Sequence, residues 1–182
     1  MWANFDKTSY LKLEFAAHVA KLVWTDWHPI GITLHNTGAP TLAQWVESGP
    51  AHDQRILNLE AYYQGLGWHA GPHFFVSRSH VCGFSNPLEP GVHSTCYNRT
   101  HIGIEMAGDF STELFATGDG AMVRDTAVYA LAVLFKALHI NPTEPNRLVF
   151  HKECLRDHHD CPGHNVLKPD VLARVVARMA TL

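Results

Sequence analysis

The segment His101–Met106 (HIGIEM) constrains the fold of this chain most. Ile102, Ile104 and Met106 alternate with Gly103 and Glu105, the period of two that belongs to a pleated strand. Shorter apolar runs accompany it at Ile30–Leu34 (IGITL), His73–Val76, Val81–Phe84 and Arg147–Phe150. Helical spacing separates them. Lys12–Trp24 carries apolar residues at Leu13, Phe15, Ala16, Val19, Ala20 and Val23, and Asp53–Gln64 at Ile56, Leu59, Tyr62 and Tyr63. Thr41 reads as the cap of a short helix reaching about Glu47. Ala121–His139 is the longest helical pattern, bounded by a turn at Thr117–Gly120 and by Asn141-Pro142. Pro169 opens a last helix over Asp170–Met179, with an acidic residue in its first turn. Strands alternating with helices predict an α/β fold: a mixed central β-sheet flanked by helices. No repeat, linker or low-complexity stretch divides the chain. Residues 1–182 are therefore read as one domain, a length that holds one core comfortably.

Charge and hydropathy exclude some functions. The formal net charge is -3, which argues against a nucleic-acid binder working by bulk charge and against a polybasic membrane anchor. The longest apolar run, Ala130–Phe135, is far below the ~20 residues of a spanning helix, so no membrane insertion is expected. The opening MWANFDKTSYLKLEF has no basic region followed by an apolar one. The expectation is synthesis in the cytoplasm without a signal peptide, as a monomer.

Histidine stands out, with 14 residues. Neutral imidazole is the commonest metal ligand, although most of these side chains read as surface or packing residues. Two apolar runs end in histidine, ITLH at His35 and LVFH at His151, too far apart for a local zinc finger. Cys161 follows shortly after His151 in a Cys-Pro-Gly turn. Two imidazoles and a thiolate suit Zn²⁺ and leave a fourth position open, as catalytic rather than structural sites do. A structural zinc domain closed by His164 is the weaker alternative. Glu105 alone reads either as a carboxylate facing solvent from a half-buried strand or as one that is paired or working. Cys82, Cys96, Cys154 and Cys161 form no CxxC pair. Disulfides are not the default reading, and Cys82 with Cys96 is the pair considered for an oxidising compartment.

Four stretches carry a family resemblance: ITLHNTG, GWHAGPHFFVSR, VHSTCYNRTHIGIEMAGDF and HKECLRDHHDCPG, spread in order from about Ile30 to Gly163. In these the chain resembles the zinc-dependent N-acetylmuramoyl-L-alanine amidases of the Amidase_2 and peptidoglycan-recognition-protein superfamily. The resemblance implies that family's fold and one catalytic Zn²⁺ held by His35, His151 and Cys161. It implies hydrolysis of the amide between the lactyl group of N-acetylmuramic acid and L-alanine, with peptidoglycan or muropeptides as partners. Non-catalytic recognition relatives typically lose the cysteine ligand, which this chain keeps. The resemblance gives Glu105 the general-base role proposed for recycling amidases. The phage-lysozyme branch instead carries a tyrosine where this chain has Pro72, ahead of His73. The residue two before the last ligand is usually an oxyanion-stabilising lysine and is His159 here, with Lys152 and His158 as alternatives. His93 corresponds to a histidine of the substrate groove. Trp68, His69 and His73 are read as groove wall or as packing. Asn98 and Arg99 are candidates to contact a peptide carboxylate, or are simply solvated. The implied setting is a phage endolysin released by a separate pore. The alternatives are a cytoplasmic recycling amidase acting on anhydro-muropeptides and a non-catalytic binding module.

Overall fold

His101–Met106 forms a strand with the predicted bounds in the computed structural model, which describes Trp2 and residues 5–182. In chain order the elements are β1 (Ser9–Leu11), α1 (Lys12–Val19), β2 (Gly31–Asn36), α2 (Pro50–Gly65), β3 (Phe74–Val76), β4 (His80–Gly83), β5 (His101–Met106), α3 (Gly118–Ala137), β6 (Leu148–Phe150) and α4 (Lys168–Met179). A single turn of 3-10 helix, His151–Glu153, follows β6. The sheet runs β1-β4-β3-β5-β2-β6. Strands β3, β5, β2 and β6 are parallel, and β4 pairs antiparallel with both β3 and β1. The fold is mixed α/β, as the alternation of elements predicts. Among the described residues no helix is long and apolar enough to cross a membrane.

The parallel strands are covered on both faces, and this changes the meaning of the period-two pattern. All six residues of β5 are buried. Ile102, Ile104 and Met106 join Ile32, Leu34, Phe74, Val76, Leu148 and Phe150 in one cluster, with Phe15 of α1, Val171 and Val175 of α4, and the buried side of α3. The opposite face carries Thr33 and His35 of β2, Phe75 of β3 and Gly103 and Glu105 of β5. There Phe75 packs with Trp45, Ile56, Leu59, Cys82 and Phe84 in a smaller cluster involving α2. One sheet face is thus filled with apolar side chains, while the other brings polar ones to the carboxyl ends of parallel strands, where α/β sheets bind their ligands.

Several boundaries differ from the sequence reading, four of them with a visible cause. β2 continues past the predicted Leu34 through His35 and Asn36, because its ladder with β5 extends to the pairs His35–Glu105 and Asn36–Met106. No helix covers residues 41–47. Gln44 and Trp45 donate to the Thr41 carbonyl in a single turn, after which Trp45 enters the core against Phe75. α1 stops at Val19 rather than Trp24, whose indole N–H is drawn off to the Pro87 carbonyl. α3 begins at Gly118, inside the segment read as a turn, with Thr117 as its extended cap. Strand β1 has too few residues to show a pattern and exists through its pairing with β4.

The extended path of residues 45–47 delivers Glu47 to the β3–β4 turn. Its carboxylate accepts from Arg78 Nε at 3.0 Å, Arg78 N at 3.2 Å, and the Ser77 and Ser79 hydroxyls at 2.9 Å each. Burial pushes its pKa up, but the hydrogen bonds from Arg78, Ser79 and Ser77 outweigh burial and hold it at about 2, against an ordinary 4.5. A depressed folded-state value means stabilisation that is present above pH 4.5 and lost as pH falls toward 2. Glu47→Gln is expected to melt lower than wild type at pH 7 and to lose less stability between pH 5 and pH 2.5. Parallel melting-temperature curves for the two proteins over that range would remove Glu47 from the acid transition.

Candidate metal centre

His35 is the penultimate residue of β2, and His151 the first residue after β6, on the neighbouring parallel strand. Both are buried. The chain after His151 turns through residues 152–160 and returns Cys161, fastened where Lys152 N donates to the Cys161 carbonyl at 2.7 Å. Gly163 completes this return at φ +97°, where an added Cβ would overlap the backbone of Phe110. One ligand atom from each of His35, His151 and Cys161 lies within 4.8 Å of the others.

The groups around these three are specific. His35 Nε2 lies 3.1 Å from His93 Nδ1, and His93 Nε2 donates to the His101 carbonyl at 3.2 Å. His151 Nε2 meets Asp157 Oδ2 at 2.8 Å. Cys161 Sγ accepts from Asn36 N at 3.3 Å. Burial lowers the pKa of His35, His93 and His151, and it raises that of the Cys161 thiol. Two neutral imidazoles and a soft sulfur converging on one point fit a Zn²⁺ ion with three protein ligands. The engagement of the outer imidazole nitrogens fits as well, since ligating histidines usually donate their second N–H to the protein.

Glu105 lies beside His35 in the β2–β5 register and is 9% exposed. Burial pushes its pKa up to about 8, and the Tyr63 hydroxyl donates to its Oε2 at 3.3 Å, a bond that works the other way. The solvent-facing reading of Glu105 therefore gives way to a buried, paired carboxyl. Tyr63 was counted from sequence as a core position of its helix. Its spacing could not show that α2 sets it over the end of β5.

These groups line a cleft of about 470 Å³ with Tyr62, Trp68, His159 and Asp160. His159 is exposed, its ring 4.8 Å from that of His151. Lys152 Nζ donates to the Gly163 carbonyl at 3.3 Å and lies 3.8 Å from Asp160 Oδ1. Trp68 stacks on Tyr63 with centroids 5.0 Å apart. Asn98 and His93 serve the protein itself. Asn98 Oδ1 accepts from the backbone N–H of His93 and of Ser94, each at 2.7 Å. His93 is 7% exposed, with both ring nitrogens engaged behind His35. His73 is buried, held between the Gly103 N–H and the Glu89 carbonyl. His69 lines a separate depression with Trp2 and Ser85, and the Arg99 side chain is exposed.

The cysteines also pair differently from the expectation. Cys96 and Cys154 form a disulfide, with Cα atoms 5.6 Å apart. Cys82 remains a free, buried thiol on β4, with Sγ 3.1 Å from Ser9 Oγ and 3.4 Å from His52 Nε2. Cys82 and Cys96 do not pair, because Cys96 is bonded to Cys154 and Cys82 is buried in the cluster with Phe75 and Phe84.

The fold is similar to that of an endolysin amidase and of peptidoglycan recognition proteins. The endolysin amidase LysCS from Clostridium intestinale superposes with a TM-score of 0.61 at 18% identity, over 86% of this chain and 92% of that one. Drosophila PGRP-LB gives 0.63 at 18% identity, over 96% and 88%. A peptidoglycan recognition protein, PGRP-LE, in complex with tracheal cytotoxin gives 0.60 at 20%, over 81% of each chain. At these identities the likeness is one of fold. The Amidase_2 profile, N-acetylmuramoyl-L-alanine amidase, matches residues 26–164, and the chain belongs to that family. No curated protein matches it at a significant level.

Proposed function

We propose that this protein is a zinc-dependent amidase that hydrolyses the bond between the lactyl group of N-acetylmuramic acid and L-alanine in peptidoglycan. The observation that carries this reading is the convergence of His35, His151 and Cys161 within 4.8 Å, at the edge of a cleft holding buried Glu105. Bound there, zinc would supply Lewis-acid activation of the scissile carbonyl and of water. Glu105, which a cation held beside it would keep ionised, takes the proton of the attacking water and returns it to the leaving amine nitrogen. Tyr63 holds the carboxyl in place through its hydroxyl. His159, at the cleft wall, donates an N–H to the developing oxyanion in the place of the family's usual lysine. Trp68 offers an aromatic wall to the substrate.

We further read the assembled wall, rather than a soluble muropeptide, as the substrate, as for a phage endolysin. Two further depressions adjoin this cleft. One depression shares Thr37, Tyr62 and Tyr63 with it, and another shares Trp68, His93 and His159. These adjoining depressions give room for a substrate longer than a single muropeptide, which supports the polymer reading. Mass spectrometry of digested sacculi is expected to show free stem peptides beginning with L-alanine and glycan retaining its lactyl groups. A chelator should abolish both products and Zn²⁺ restore them, and a soluble anhydro-muropeptide should be cut more slowly. Zinc-loaded protein that releases no such peptide from sacculi would refute the amidase reading. Preferential cutting of the soluble substrate would refute the endolysin setting.

A further inference from the structure

We propose that the segment His93–Cys96 is the positioning platform of the metal centre. It fixes both imidazole ligands in the Nε2–H form, so that Nδ1 of His35 and Nδ1 of His151 are the atoms presented to the ion. The inference rests on the zinc reading above and deepens it.

The first arm is a chain of hydrogen bonds with a single consistent direction. The His101 carbonyl can only accept, so His93 Nε2, 3.2 Å away, carries the hydrogen. With that hydrogen on Nε2, Nδ1 of the buried ring is the acceptor. His35 Nε2, 3.1 Å from that atom, must then be the donor, and the lone pair of His35 sits on Nδ1. The protein makes room for this relay at one position. A Cβ on Gly103 would come within 2.6 Å of the His93 ring, so the glycine of the HIGIEM strand is what lets the ring lie against β5.

The second arm leaves the same loop at the next two residues, Ser94 and Thr95. Asp157 is gripped by the Ser94 hydroxyl at 2.9 Å, by Thr95 N at 3.0 Å and by the Thr95 hydroxyl. Every one of these is a donor to the carboxylate. Asp157 Oδ2 therefore accepts from His151 Nε2 at 2.8 Å, and the lone pair of His151 is again on Nδ1. The Cys96–Cys154 disulfide ties the platform covalently to the loop that carries His151 and Cys161. Asn98, capping the N–H groups of His93 and Ser94, holds the turn from which both arms depart. The family resemblance implies a groove position for His93 and makes Asn98 a candidate peptide contact. On this reading they act through the ligands instead.

Two measurements test the platform. Two-bond ¹H–¹⁵N correlation spectra of the metal-free protein are expected to show His35, His93 and His151 in the Nε2–H form. His93→Leu is expected to weaken zinc binding about 10- to 100-fold, the usual effect of losing an outer partner. His93→Asn places an amide oxygen where Nδ1 stood and is expected to recover most of that loss. An Nδ1–H form at His35 or His151, or unchanged zinc affinity in His93→Leu, overturns the proposal. If His93→Leu does not fold, the wild-type spectra decide alone. A wild-type protein that takes up no zinc yet shows all three Nε2–H forms would refute the metal reading and leave the hydrogen-bond platform standing.

Discussion

Cys161→Ser is expected to abolish zinc retention and hydrolysis together. A serine hydroxyl does not ionise near neutral pH, so the substitution removes the one ligand that brings negative charge to a divalent cation. Two neutral imidazoles remain, and they do not make a zinc site of the kind that chains of this chemistry use. Lewis-acid activation is worth several kcal/mol, so its loss costs at least about three orders of magnitude in rate. Elemental analysis after dialysis should find zinc near one equivalent in wild type and near none in the variant, and lysis of sacculi should be undetectable. The fold should survive, because Cys161 belongs to neither apolar cluster and its backbone contacts with Lys152 are unaffected by the side chain. A variant that retains both stoichiometric metal and wild-type lysis would remove Cys161 from the centre.

Glu105→Gln separates chemistry from metal binding. The amide occupies the same volume and still accepts from Tyr63, but it cannot take a proton. The expected loss is about 10²- to 10⁴-fold in kcat, the range of general acid–base catalysis, with zinc content unchanged. Stability should move the other way. Burial raises the Glu105 pKa from 4.5 to about 8 in the folded state. Its favourable contribution is complete below pH 4.5 and is lost as pH rises through 8, since only the unfolded chain ionises freely in between. Metal-free Glu105→Gln is therefore expected to melt above metal-free wild type at pH 8, with the difference closing toward pH 4. Such an exchange of stability for activity is common at working sites. A kcat within about two-fold of wild type would take Glu105 out of proton transfer.

Much of the sheet was legible because its central strands are short, apolar and regularly patterned. His101–Met106 has the predicted bounds, and the histidines at the ends of two neighbouring runs do meet. The misreadings have physical causes. Thr41 and Gln44 look like the start of a helix, yet Trp45 and Glu47 gain more from the core and from Arg78 than another turn would return. Tyr63 carries a helical apolar period, which says nothing about the strand its hydroxyl reaches. Asp157 sits in a charged, loop-like stretch, KECLRDHHD, where a carboxylate normally faces water. Its role depends on Ser94 and Thr95, more than sixty residues away in sequence. The Cys96–Cys154 bond likewise joins two loops brought together by strands of the folded sheet. Local patterns expose periodicity, and partners of this kind are fixed by topology.

The division of β5 between two faces has a consequence for how this chain can vary. Ile102, Ile104 and Met106 belong to the helix-covered layer, and His101, Gly103 and Glu105 to the opposite layer, which includes the candidate ligand His35. Point changes in one set can be absorbed with little disturbance of the other. Inserting or deleting one residue would exchange the two sets, driving a carboxyl into the oily layer and an isoleucine against the ligands. Natural drift and laboratory design can therefore alter the letters of this strand, while its length stays fixed.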